Sequence, residues 1–229
     1  MKDRIELDRV VLLGRTLKEY SAYFQLSEAD LRSGRILDVG AGVSSFTAEA
    51  SGLGCAVTAA DPIYDLSADQ IAERSRVDLD HVLDQMPDAL HKYNWTFYSN
   101  LDELAHYRTI ARDRFLKDYS NHRERYITAS LPSTGFPDQE FSLALISYFL
   151  FLYDDLLDYD FHKRSVLELA RIARREVRIY PLTNFRGLKS EFIERLLRDP
   201  DCSALSFAVA QIDFEFLKNA NEILIVRHN

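Results

Sequence analysis

The chain is poor in the residues that mark several common protein classes. It has two cysteines, Cys55 and Cys202, and no Cys-x-x-Cys pair, which argues against a disulfide framework and against a cysteine-built zinc site. It is short of positive charge: 28 Lys and Arg face 36 Asp and Glu, for a formal net charge of −8. A broad basic face that neutralises phosphates is therefore not expected, nor is nucleic acid as a partner. No apolar run is long enough to span a bilayer. The opening Met1-Lys2-Asp3-Arg4-Ile5-Glu6 is charged and lacks the apolar stretch of a signal peptide. No membrane partner is expected, and a cytoplasmic setting is the default. No Gly/Ser/Pro-rich linker and no solenoid-length repeat divides residues 1 to 229, which read as one domain. Glycine is also scarce, and four of the eight lie between residues 40 and 54. A glycine-poor chain has placed its conformational freedom there, so that segment is weighted most heavily.

What surrounds it has the pattern of an α/β protein. Val10, Leu13, Leu17, Tyr20 and Phe24 recur at helical spacing and predict an amphipathic N-terminal helix. Ser27-Glu28-Ala29-Asp30 has the form of a capping box and starts a short second helix, stopped by Gly34, so residues 1–33 read as N-terminal helices. Arg35 to Val39 is a predicted strand, Gly40 to Ser45 a tight turn, Phe46 to Ser51 a helix and Gly54 to Asp61 a second strand. This strand–turn–helix–strand unit begins a parallel sheet. Residues 64–125 are too long for a plain crossover. Ser67-Ala68-Asp69-Gln70 and Asn100-Leu101-Asp102-Glu103 both look like helix starts. We read a helical insertion or lid, broken near Pro87 and around Tyr93 to Ser99. Further strands are predicted at Arg125 to Ala129, Phe141 to Ser147 and Glu176 to Tyr180. Helices are predicted around Val166, Leu169, Ala170 and Ala173, and around Phe192 to Leu197. Leu205 to Phe216 and Glu222 to Val226 are separated by only five residues, too few for a parallel crossover, so they must form an antiparallel hairpin.

In the first unit, glycines let the backbone turn and approach a ligand, and a helix N-terminus follows. Asp61, 19 residues after Gly42, ends the second strand where a carboxylate can accept from a ribose diol. Three details bear on the ligand. The third glycine of a dinucleotide fingerprint is replaced by Ser45. Asp38 beside the turn repels a pyrophosphate but suits a cationic amino-acid or sulfonium ligand. The chain ends in an antiparallel hairpin.

With Leu37-Asp38-Val39-Gly40-Ala41-Gly42, Asp61, the strand Phe141 to Ser147 and that hairpin, the sequence resembles the class I S-adenosylmethionine-dependent methyltransferases. More loosely, Phe149 to Tyr153, Phe161-His162 and Glu176 to Leu182 resemble uncharacterised bacterial methyltransferases. The resemblance implies a Rossmann-like seven-stranded sheet of order 3-2-1-4-5-7-6 with strand 7 antiparallel. It implies S-adenosylmethionine as cofactor over the carboxyl ends of strands 1, 2 and 4, and methyl transfer to a small-molecule acceptor. Gly40, Ala41 and Gly42, with Asp38 and Ser45 beside them, would receive the methionine part. Asp61 and Pro62 would lie at the ribose, and Ser147 and Tyr148 would face the methyl group. Two positions depart from the family pattern: Ser130 stands near an acid that meets the adenine, and Ser142 replaces the Asp of Phe-Asp. They motivate a second reading, a domain that binds cofactor or a protein partner without catalysis. A nucleotide-dependent oxidoreductase is a third.

His162 is the candidate general base, since Asp154, Asp155, Asp158 and Asp160 precede it. Alternatively it is a partly buried first-turn residue of a helix capped by Asp160. The four aspartates match no metal loop, and no metal ligands are assigned. Arg15 and Tyr20 are candidates to fold over the cofactor, with Arg15 meeting its carboxylate. The insertion's aromatic residues, Trp95 foremost, either line the acceptor pocket or form a satellite core.

Overall fold

A computed structural model describes Leu7 and residues 9 to 229. The absence of a signal peptide was read from Met1 to Glu6, which lie outside the described residues. The strands are β1 (Ile36–Val39), β2 (Val57–Ala60), β3 (Tyr126–Ile127), β4 (Phe141–Ser147), β5 (Ala173–Tyr180), β6 (Leu205–Gln211) and β7 (Glu222–His228). The helices are α1 (Leu17–Phe24), α2 (Glu28–Leu31), α3 (Phe46–Gly52), α4 (Ala68–Ala89), α5 (Leu101–Asn121), α6 (Tyr159–Ile172) and α7 (Glu191–Leu196).

The strands form one Rossmann-like seven-stranded sheet of order β3-β2-β1-β4-β5-β7-β6. β1 to β5 pair parallel, and β7 runs antiparallel to β5 and β6, as expected. Alternation of side chains divides the core in two. Ile36, Leu143 and Leu145 pack with Tyr20, Tyr23 and Phe24 of α1 and Phe46 of α3. Their neighbours Leu37, Val39, Ala144 and Ile146 pack with Val166 and Leu169 of α6 and Ile193 and Leu196 of α7. With both faces covered, all seven residues of β4 are buried.

Several boundaries differ from expectation. The N-terminal helix starts at Leu17, because Thr16 and Glu19 form a capping box there; Val10 and Leu13 belong to an irregular segment upstream. α4 continues through Pro87 to Ala89, so that proline sits in the last turn and does not break the helix earlier. β3 is only two residues long and ends before Ala129. Ala173 is the first residue of β5 and follows α6 directly. β6 ends at Gln211, and the hairpin connection runs through residues 212–221. Phe214 and Phe216 leave the sheet to pack against Phe97 and Tyr98 of the insertion. Ser67 and Asn100 cap α4 and α5, accepting from the N–H groups of Gln70 and Glu103 at 3.2 and 2.9 Å.

Candidate functional site

After Val39 the chain turns through Gly40 (φ 63°) and Gly42 (φ 53°), a left-handed conformation that costs a residue with a Cβ about 1–2 kcal/mol. Asp61 fastens this loop to the end of β2. The Gly42 N–H donates to its Oδ2 at 2.8 Å and the Ile63 N–H to its Oδ1 at 3.0 Å. An ionised carboxylate offers about four acceptor positions, so capacity remains for a ligand hydroxyl. Burial pushes the Asp61 carboxyl up, and these two N–H bonds act in the other direction. The first N–H groups beyond the loop are already used: the Ser45 N–H donates to the Arg15 carbonyl at 2.9 Å and the Phe46 N–H to Ser44 Oγ at 3.1 Å.

A cavity of about 600 Å³ opens at the carboxyl ends of β1, β2 and β4. Gly40, Ala41, Gly42, Asp61, Pro62, Ser147, Tyr148, Arg15 and Tyr20 all lie on its wall. Ser130 also lines it, whereas Ser142 is buried in β4 with its Oγ donating to the Arg35 carbonyl at 2.8 Å.

Asp38, Ser45 and His162 are not on the wall. Asp38 is fully buried, and the Tyr20 hydroxyl lies 3.0 Å from each of its oxygens. Tyr20 therefore stands between this carboxyl and the cavity. Burial raises Asp38 well above the usual carboxylate range, and the nearby Asp61 adds to the rise. The Ser45 hydroxyl is turned away, donating to Glu49 Oε1 at 2.5 Å. The His162 ring lies against Phe151 and Phe192. Its Nδ1 sits 2.7 Å from the Asp158 carbonyl and its Nε2 2.8 Å from that of Leu150. Burial lowers its basicity. His162 ties the chain after β4 to α6, and among the wall residues its ring neighbours Phe161, edge-on with centroids 6.2 Å apart. Asp158, not Asp160, caps α6. The other aspartates diverge: Asp155 meets Arg186, Asp160 meets Arg164 and Asp154 accepts from Asn184.

One corner of the cavity carries buried charge. Glu19 is fully buried and accepts from the Thr16 N–H (2.8 Å), Thr16 Oγ1 (2.9 Å), Arg108 Nη1 (2.6 Å) and the Tyr98 hydroxyl. Arg15 Nε lies 3.9 Å from the same carboxylate. Arg15 and Arg108 both line the cavity, so two guanidinium groups share one counter-charge. The Arg15 guanidinium stacks on the Tyr148 ring, 4.0 Å from its centroid. Arg15 Nε and the Tyr148 hydroxyl are both buried without a hydrogen-bond partner. Tyr148 is also held at φ 51°. Such strain in a non-glycine residue costs about 1–3 kcal/mol and concentrates at functional sites.

The insertion walls the cavity with Leu79, Val82 and Met86 of α4 and Leu104 and Arg108 of α5. Most of its aromatics form satellite cores instead. Trp95 donates to the Leu90 carbonyl at 3.2 Å and packs on Phe216, off the wall, whereas Tyr93 reaches it. Arg108 escaped the sequence reading. The Thr16-x-x-Glu19 box was a visible signal for half of the charged corner. Nothing in the pattern of α5 marked its arginine as the partner. Among the described residues, no three His, Cys, Asp or Glu side chains group as a metal site and no helix is long and apolar enough to cross a membrane.

No family model matches the chain. Similar solved structures include the PH0226 protein from Pyrococcus horikoshii OT3, at 12% identity over 93% of this chain and 90% of that one, with a TM-score of 0.46. Another is a SAM-dependent methyltransferase from Aquifex aeolicus, at 13% identity over 92% and 86%, TM-score 0.43. A third is magnesium protoporphyrin IX methyltransferase from Synechocystis PCC 6803 with bound SAH, at 10% identity over 92% and 80%, TM-score 0.48. In sequence the relative found is archaeal, whereas the motif resemblance pointed to bacterial proteins. At 39% identity over 224 residues, 97% of this chain and 98% of the relative, the chain belongs to the family of the uncharacterised protein MJ0045 of Methanocaldococcus jannaschii.

Proposed function

We propose that the chain binds S-adenosylmethionine in this cavity and transfers its methyl group to a small-molecule acceptor. The observation that carries the reading is the convergence on one wall of the glycine loop, Asp61, Ser147, Tyr148 and Arg15, at the carboxyl ends of β1, β2 and β4. The donor set fits the cofactor. Asp61 holds the ribose hydroxyls with the acceptor positions its two backbone bonds leave free. Gly40, Ala41 and Gly42 let the methionine part approach the backbone. Arg15, with its unpartnered Nε, meets the carboxylate, and that second negative charge balances the corner where two arginines share Glu19. When bound, S-adenosylmethionine supplies an electrophilic methyl carbon. The protein's part is to hold donor and acceptor in line and keep water out. Helices α4 and α5 serve as the cover. His162 has no part in it, and Asp38 acts only through Tyr20. The two unpaired cysteines suit a cytoplasmic setting.

Titration calorimetry with S-adenosylhomocysteine tests the reading. We expect saturable one-site binding, with affinity falling about 10-fold or more in Asp61→Ala, as befits loss of hydrogen bonds to a charged group. Binding of NADH with no response to S-adenosylhomocysteine would refute it.

A further inference from the structure

The cavity is larger and far more apolar than the loop end alone requires. Beyond Tyr148 its wall is built from Val10 and Val11, Val82 and Met86 of α4, and Leu152 and Phe185. These residues belong to one apolar cluster, separate from the cluster of Leu12, Ala41 and Ile63 beside the glycine loop. The two ends of the cavity thus differ in chemistry. The apolar end contains no histidine, lysine or carboxylate on its wall; Asp61 and Asp65 belong to the loop end. Its polar groups are tyrosine hydroxyls. That of Tyr148 is buried beside the Tyr180 hydroxyl without a well-formed hydrogen bond, and that of Tyr153 accepts from the Val11 N–H at 3.2 Å, which leaves its own proton free.

We propose that the acceptor is an apolar carboxylic acid, received in this end as its carboxylate with the Tyr148 and Tyr153 hydroxyls as donors, and released as a methyl ester. The inference rests on the methyl-transfer reading above. Three arguments lead to it. With no base on the wall of this end, the acceptor must arrive ready to react. Near neutral pH a carboxyl group is ionised unaided, whereas thiols (about 8.5) and phenols (about 10) are not. An amine would become a cation on methylation, in a chamber whose wall offers it no carboxylate, and would then need a base to take its proton. Burial raises Tyr148, and takes Tyr153 up to about 12, so both remain protonated donors. In the transfer, a carboxylate oxygen bonds to the methyl carbon as the carbon–sulfur bond breaks, its electron pair stays on sulfur, and no proton moves. Two opposite charges vanish, which a chamber of low polarity favours over bulk water.

Calorimetry without turnover tests this. Decanoate, decylamine and acetate are titrated into protein saturated with S-adenosylhomocysteine. Decanoate is expected to bind, and decylamine and acetate not to. Tyr148→Phe should weaken decanoate about 10-fold or more, the value of a hydrogen bond to a charged group. Leu83→Glu adds a carboxylate at a half-buried wall position of α4. It should abolish decanoate binding and leave the affinity for S-adenosylhomocysteine unchanged. Decylamine binding as tightly as decanoate, or decanoate indifferent to both substitutions, would overturn the proposal. Decanoate binding to a protein that ignores S-adenosylhomocysteine would instead uphold the chamber's preference and refute the methyl-transfer reading beneath it.

Discussion

The buried charge at Glu19 gives the sharpest prediction. Glu19→Gln keeps the shape of the side chain but removes the one anion shared by Arg108 and Arg15. It also creates an unavoidable hydrogen-bond conflict. Oε1 faces Arg108 Nη1 and the Tyr98 hydroxyl, while Oε2 faces the Thr16 N–H and Thr16 Oγ1. Whichever way a glutamine amide turns, its NH2 points at donors. Removing one partner of a buried pair costs about 3–5 kcal/mol. In a chain of this length each kcal/mol lowers the midpoint by roughly 2–4 °C, so the loss in Tm is about 6–20 °C. Acid titration supplies an independent check. Burial raises the Glu19 carboxyl, but Arg108, then Arg15 and Tyr98, outweigh it and hold it below its ordinary value of 4.5. A carboxyl lowered in the folded state contributes stability that is fully present above the unfolded value and lost as pH falls through the folded one. The wild-type protein should therefore shed this contribution below pH 4.5, and the variant has none to shed. Thermal unfolding from neutral to acid pH reads both effects. A loss under about 1 kcal/mol, or a variant as acid-sensitive as wild type, would refute the pairing.

Asp38→Asn should act in the opposite direction. Its carboxyl is raised in the folded state, so above that folded value the buried charge opposes folding, and the penalty fades as pH falls through it. Asparagine keeps an acceptor for Tyr20 without the charge. Tm at neutral pH is expected to rise by roughly 2–4 °C for each kcal/mol regained, with the advantage shrinking in acid; a fall in Tm at neutral pH would contradict this. His162→Phe removes the one N–H that a neutral ring can donate to the Asp158 or Leu150 carbonyl, at about 1–3 kcal/mol in urea unfolding. On the proposed reading, S-adenosylhomocysteine affinity per folded molecule should be unchanged, and lost binding in a folded variant would return His162 to the site.

The elements governed by local pattern were legible in the sequence. β4 matched its apolar run end to end, and the caps at Ser27, Ser67 and Asn100 fell where the side chains said. The reversed β7 followed from a connection too short for a crossover, although the connection proved longer than read. What failed depended on partners distant in the chain. His162 sits beside four aspartates in sequence, but its ring is claimed by two backbone carbonyls. Asp38 sits beside the glycine turn, yet Tyr20, 18 residues earlier, closes over it. Arg108 and Glu19 are 89 residues apart, and each alone resembles an ordinary helical surface charge.

The N-terminal segment shows why periodicity misled there. Val10 and Leu13 carry a helical spacing, but their apolar side chains are spent on the cavity wall, and the backbone is bound by other elements. The buried carboxylate of Asp78 in α4 accepts from the Leu12 N–H at 2.8 Å and from Arg9. Arg108 of α5 donates to the Gly14 carbonyl at 2.9 Å, and the Arg15 carbonyl accepts from Ser44 Oγ at 2.9 Å. A helix through residues 10 to 15 would take these backbone groups for itself. Gly14 marks the crossing: a Cβ there would come within 2.3 Å of the Val43 carbonyl oxygen, so only a residue without one lets this strand of chain lie directly on the glycine loop. The insertion, the N-terminal segment and the loop are thus joined by hydrogen bonds that run through the cavity wall.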